Sequence, residues 1–223
     1  MLSASRRRPH ARGFSSMEVL AGLGLTLILL AAVYSFQQAQ LKAFSTQQVY
    51  SDSQNVTRSV IDLMARELRM ACYDPGTAIP PAPKGGCAPD VKRGIIEATP
   101  TRIHFQQDLN GDNVIGAPGE DVTYDLANGT VRRTDGAADP VVLAAGIPTG
   151  GLSFLYFDNA NPPNQLVPGG SPAVLTACQR DSVAKVRVTV RANLPNPNPR
   201  ISTPIASLAE SEVAVRNRSL DNF

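Results

Sequence analysis

The chain has 223 residues, 43 % of them hydrophobic, with 7 Phe, 5 Tyr and no Trp. The formal charge of +2 is set by Arg6, Arg7, Arg8 and Arg12; without these the chain carries 17 basic and 19 acidic side chains, so no basic patch is left to serve nucleic acid. One modest core plus an extended element is what this length and composition allow.

The first thirteen residues, MLSASRRRPHARG, are basic and hold no acid. A nearly pure apolar run, Val19 to Val33, follows. With Phe14 to Met17 it reaches about 20 residues, enough to cross a hydrocarbon layer of ~30 Å as a helix. Arginines precede this run and only Lys42 follows before Arg58, which predicts a cytoplasmic N-terminus with the body across the membrane. The usual small-residue cleavage site after an apolar region is poorly represented by Ala31-Ala32-Val33. The notable junction stands before it, at Gly13-Phe14, with Glu18 at the edge of the apolar run. An acid there is costly and calls for a partner.

The run GFSSMEVLAGLGLTLILL resembles the processing signal of type IV prepilins and type II secretion pseudopilins. The resemblance implies cleavage by a prepilin peptidase between Gly13 and Phe14, N-methylation of Phe14, and an assembly role for Glu18. In a filament Glu18 would pair with the terminal amine of a neighbouring subunit and offset the desolvation of both. Ser16-Met17 stands where the family usually has Thr-Leu.

No Pro occurs from Phe14 to Asp74. The spacing of Val56, Val60, Leu63, Met64, Glu67, Leu68 and Ala71 predicts an apolar helical face. One helix is therefore expected over 14–72, roughly 90 Å long, with 14–34 transmembrane and the second part covered on one side by the body. Gly22 and Gly24 either permit bending or mark a close helix–helix contact.

Residues 74–90 form a loop by composition. Cys72 and Cys87 flank it, as a disulfide would, and in an exported domain such a bond persists. Closing a loop of about 15 residues contributes roughly 3 kcal/mol. The alternative is that the cysteines are buried or free thiols. Cys178 is then the odd one, free or in another pairing.

Beyond the loop the hydrophobic period becomes two. Ile103 and Phe105, then Val122, Tyr124 and Leu126, then Val186, Val188 and Val190 predict strands, Val213 and Val215 a last one, and Leu152 to Phe157 a central one. The expected class is α+β: a pilin-like long N-terminal helix packed on an antiparallel head over 73–223, after a leader over 1–13. The order of segments is similar to PilW-type minor pilins and the J-type pseudopilin.

Between the first two strands, Asp108, Asn110 and Asp112 are spaced like the first half of a calcium loop. Gly111 is two places early and Gly119 stands where the last acid belongs. The alternative is a hairpin turn, with Asn110-Gly111 supplying positive φ. His104 reads as a surface strand residue. No nucleophile elbow, zinc-protease motif, phosphate loop or dinucleotide fingerprint occurs, and no cofactor is required beyond a possible Ca2+. The expected function is a structural, non-enzymatic minor pilin of a bacterial inner membrane, later in a pilus, the periplasm or at the cell surface. Its partners would be the inner membrane, the prepilin peptidase and other pilins. A type II secretion pseudopilin is the alternative, and a membrane-anchored calcium-dependent adhesin the reading of another class.

Overall fold

The computed structural model describes residues 13–82 and 91–217. It divides into two compact units, Met1–Thr46 and Gln47–Phe223. Helix α1, Ser16–Met70, contributes to both.

The first unit, as described, is helical from Ser16 onward and buries no side chain of its apolar window. Leu20, Leu23, Leu25, Leu27, Ile28 and Leu30 are all more than half exposed. The window has a mean hydropathy of 2.2 and is long enough to cross a membrane. A helix that is apolar on every side has no water-facing stripe to offer. Its few hydroxyls are turned inward: Thr26 Oγ1 donates to the Gly22 carbonyl at 2.8 Å and Ser35 Oγ to Ala32 at 2.8 Å. Satisfying polar groups within the helix is what a hydrocarbon surround demands.

In the second unit α1 buries one stripe, Ser53, Thr57, Val60, Ile61, Met64, Ala65 and Leu68, at the spacing of a single helix face. The stripe is rotated from the expected one. Val56 is 43 % exposed, and two hydroxyl residues take the inner positions. Ser53 Oγ lies 2.7 Å from Ser207 Oγ, and Thr57 Oγ1 donates to the Ser53 carbonyl at 3.0 Å. Each hydroxyl thus has a partner, so small polar residues substitute for larger apolar ones where helix and strand approach closely.

The helix stops at Met70, two residues short of the expected end. Cys72 has φ of 65°, a left-handed turn that ends the helix, and its N–H donates to the Gln106 carbonyl at 2.9 Å. Pro75 then disfavours helix at Asp74. Gly94 packs behind this turn: a Cβ there would stand 2.7 Å from the Cα of Cys72, so only glycine fits.

The remainder is antiparallel. A five-stranded sheet runs in chain order through β1 (Ile95–Ala98), β2 (Arg102–Gln106), β3 (Asp121–Ala127), β4 (Thr130–Asp135) and β5 (Val141–Ala145). Strands β6 (Leu152–Phe157), β7 (Gln165–Leu166), β8 (Lys185–Leu194) and β9 (Ile205–Ala214) form a second sheet, in the order β7-β6-β8-β9. A short helix, α2 (Ala177–Ser182), precedes β8 and carries a capping box between Thr176 and Gln179. One core joins the α1 stripe to Ile103, Phe105, Val122 and Tyr124 of the first sheet and Phe154, Tyr156, Val186 and Val188 of the second. The class is therefore α+β, a long N-terminal helix with antiparallel sheets. All five expected strands are present.

Candidate functional site

The residues singled out at the N-terminus lie at the start of α1. Gly13 is exposed, and a Cβ placed on it would meet no atom within 4 Å. Phe14 is 82 % exposed. Ser15 caps the helix with its carbonyl, accepting the N–H groups of Glu18 at 2.9 Å and Val19 at 3.1 Å. Glu18 falls in the first turn, where a carboxylate interacts favourably with the helix dipole, by about 0.3–1 kcal/mol. It is exposed and makes no ion pair among the described residues. Gly22 and Gly24 also have open space where a side chain would stand, so no close approach within the described chain asks for them. The arginines of the leader lie outside the described residues.

Cys72 is buried in the core, enclosed by the helix-ending turn and Gly94, and Cys178 of α2 is disulfide-bonded. Cys87, the expected partner of Cys72, lies outside the described residues.

Asp108, Asn110 and Asp112 stand in the loop 107–120 between β2 and β3. Both Asp108 oxygens accept backbone N–H groups, from Gly111 at 2.7 Å and Asn113 at 3.1 Å. Asp112 accepts from Val114 N–H at 2.8 Å and from the Asn110 amide at 2.9 Å. Among the described residues no group of three acids, histidines or cysteines converges to hold a metal. The side chains of Asp108, Asn110 and Asp112 are engaged by amides of their own turn. The turn differs from the expected hairpin. Positive φ falls on Gly111, Asn113 and Gly119, leaving Asn110 outside that region.

The organising acid of this loop is one the spacing argument passed over. Glu120 is fully buried; its Oε1 accepts from Leu109 and Asn110 and its Oε2 from Gly116 and Ala117, at 2.8 to 3.4 Å. Burial alone would raise its pKa, but the four N–H groups outweigh it and hold the carboxyl below its ordinary value. Asp74 is similar. Burial opposes its charge, while the N–H groups of Ile79 and Gly76 and the Lys92 ammonium at 3.3 Å prevail and lower its pKa.

A half-buried cluster around the buried Tyr124 ties α1 to the first sheet. Glu67 accepts from Tyr124 Oη at 2.5 Å and from Arg133 Nε at 3.1 Å. Arg133 also reaches Asp135 at 3.2 Å, and Asp135 accepts the Gly119 N–H. Burial, then the Glu67 charge, push the Tyr124 phenol well up, so it stays a donor. The signal was present in the sequence: Glu67 sits at apolar-face spacing, where a charge needs a partner. His104, half-buried, contacts Asp121 across the β2–β3 pair.

No family model matches the chain, and no curated protein or solved structure is similar enough to be matched with it.

Proposed function

We propose that the chain is a structural subunit of a type IV pilin-like filament, a minor pilin that takes part in pilus assembly or its priming. The observation that carries this is the uncovered apolar half of α1, which continues without a break into a helix whose other half is built into a β-rich body. Exposed apolar surface on this scale requires lipid or other helices around it. Bilayer and filament each supply that, the one before assembly and the other after.

The chemistry at the helix start supports the same reading. Cleavage after Gly13 would remove the cationic leader and create an α-amine on Phe14. Glu18, exposed and without an ion-pair partner in its own described chain, would then meet the Phe14 amine of a neighbour as apolar helices pack. A buried carboxylate and ammonium each cost several kcal/mol when isolated, and pairing offsets both costs. The pair would also fix the axial offset between subunits. A type II secretion pseudopilin uses the same arrangement, and the neighbouring genes separate the two.

Mass spectrometry of the membrane-extracted protein tests the proposal. A mature chain beginning at N-methylated Phe14 is the expected result. A chain that still begins at Met1, or that begins beyond Val33, would overturn it. Glu18→Ala is expected to insert in the membrane normally yet to be depleted from sheared filaments. Incorporation at the wild-type level would remove the pairing role.

A further inference from the structure

The two sheets have four outer strands, and three of them are guarded. On β1, Ile96 bulges out of the pairing with β2, and the Ala98 carbonyl accepts the Leu175 N–H at 2.9 Å. On β5, Leu143 bulges out of the pairing with β4. Strand β7 has only two residues. Bulges, short strands and covering segments are the usual means of blocking strand addition. Among the described residues strand β9 has none of them. It pairs with β8 over ten residues in unbroken register.

The phase of its outward groups can be worked out. In an antiparallel ladder a residue directs both its N–H and its C=O to one side, and the next directs both to the other. Arg191 N–H donates to the Gly151 carbonyl at 2.6 Å, so odd residues of β8 face β6 and even ones face β9. The pairs Val186↔Val213, Val188↔Ser211 and Val190↔Ala209 then assign odd residues of β9 to β8. Val215 N–H donating to Ala184 O at 2.9 Å agrees. Ala206, Leu208, Glu210, Glu212 and Ala214 therefore direct their backbone donors and acceptors away from the sheet. No hydrogen bond among the described residues reaches these groups.

From this geometry we infer that the β9 edge is a docking site for an extended segment of a different protein, one carrying basic side chains at alternate positions. The added strand would bond to the five outward residues as strands do in β-augmentation. The side chains select the partner. Those of the five even residues share the exposed face. Glu210 and Glu212 are engaged from the β8 side by Arg187, at 3.5 and 3.0 Å, and Glu212 by Lys185, at 3.7 Å. Among the described residues no other base pairs with them, so lysine or arginine on an incoming strand completes the row. A second copy of β9 fits badly. Outward residues must face outward residues, and the two registers with the greatest overlap set Glu210 opposite or diagonal to its own counterpart. Like charges so placed are destabilising. The inference concerns the body alone and does not depend on the filament reading.

Residue-resolved amide exchange on the full chain in detergent tests it, with two ten-residue peptides as probes, one alternating Val and Lys and one alternating Val and Glu. In the free chain the amides of Leu208, Glu210 and Glu212 should exchange fast and those of Ala209 and Ser211 slowly. The lysine peptide should abolish the fast exchange at the even positions, and the glutamate peptide should not. In Glu210→Lys/Glu212→Lys the preference should reverse; if that variant does not fold, the comparison of the two peptides on the unaltered chain decides. Slow even amides in the free chain would show the edge to be closed. Protection that grows with chain concentration alone would mean self-pairing, and protection by both peptides or by neither would remove the charge selection. Each of these results overturns the inference.

Discussion

Glu120 shows how a single carboxylate can specify a loop. Four N–H groups of the 107–120 segment converge on it, and none of them has a strand or helix neighbour to use instead. An amide in its place sets its own N–H group against two of those donors. Glu120→Gln is therefore expected to cost about 2–4 kcal/mol at neutral pH, measurable as a lowered denaturation midpoint. The pH dependence follows from the sign of the shift. A carboxyl whose pKa is lowered by folding contributes its stability above its unfolded-state value, here 4.5, and loses it as pH falls through the lowered folded-state value. The difference between the native chain and Glu120→Gln should accordingly be constant from pH 7 to about pH 5 and narrow below. A constant difference down to pH 3 would place the effect elsewhere. The sequence placed Asp108, Asn110 and Asp112 in this loop, as a turn or as the first half of a calcium site, and passed over Glu120. Spacing reports which oxygens are near one another, whereas only the folded backbone reports how many amides already claim them.

At the scale of elements, periodicity was legible and local chemistry partly so. Strands β2, β3 and β8 announce themselves through alternation of Val, Ile, Tyr and Phe, β6 through a run apolar on both faces, and β9 through Val213 and Val215 alone. Strand β4 was overlooked although Asn128-Gly129 gives it away: both have positive φ, 51° and 71°, the signature of a two-residue hairpin. Strand β5 hides because Val141 and Val142, both more than half exposed, break the alternation at an edge. Helix α2 is too short for any period, and only its Thr176–Gln179 capping box marks it. This short helix holds the disulfide-bonded Cys178. Non-reducing peptide mapping should recover the Cys178 peptide joined to a second cysteine-containing peptide, and Cys178→Ser should cost about 2–4 kcal/mol. A Cys178 peptide that runs alone in the map would contradict the bond. Loop length alone could not have foreseen a bonded Cys178, because no hydrophobic period marks the short helix that carries it.

For the molecule as a whole, the two units divide the physics between them. The second unit buries its apolar residues and pairs or hydrogen-bonds its buried charges. The first buries none of its apolar window and holds one acid, Glu18, in the described segment. This contrast was readable from the sequence at once, since an unbroken apolar run has few other uses. It predicts that the full chain remains in the membrane pellet after alkaline carbonate washing and is released only by detergent. Appearance in the wash would remove the membrane step from the proposed route to the filament.

The empty surroundings of Gly13 have one more implication. With no atom of the described residues near enough to object to a methyl group, the described fold asks nothing of this residue's side chain. Any intolerance of Gly13→Ala must then originate in a molecule that handles the chain from outside. An unprocessed Gly13→Ala precursor would thus report the shape of a protease cleft, uncontaminated by misfolding of its substrate.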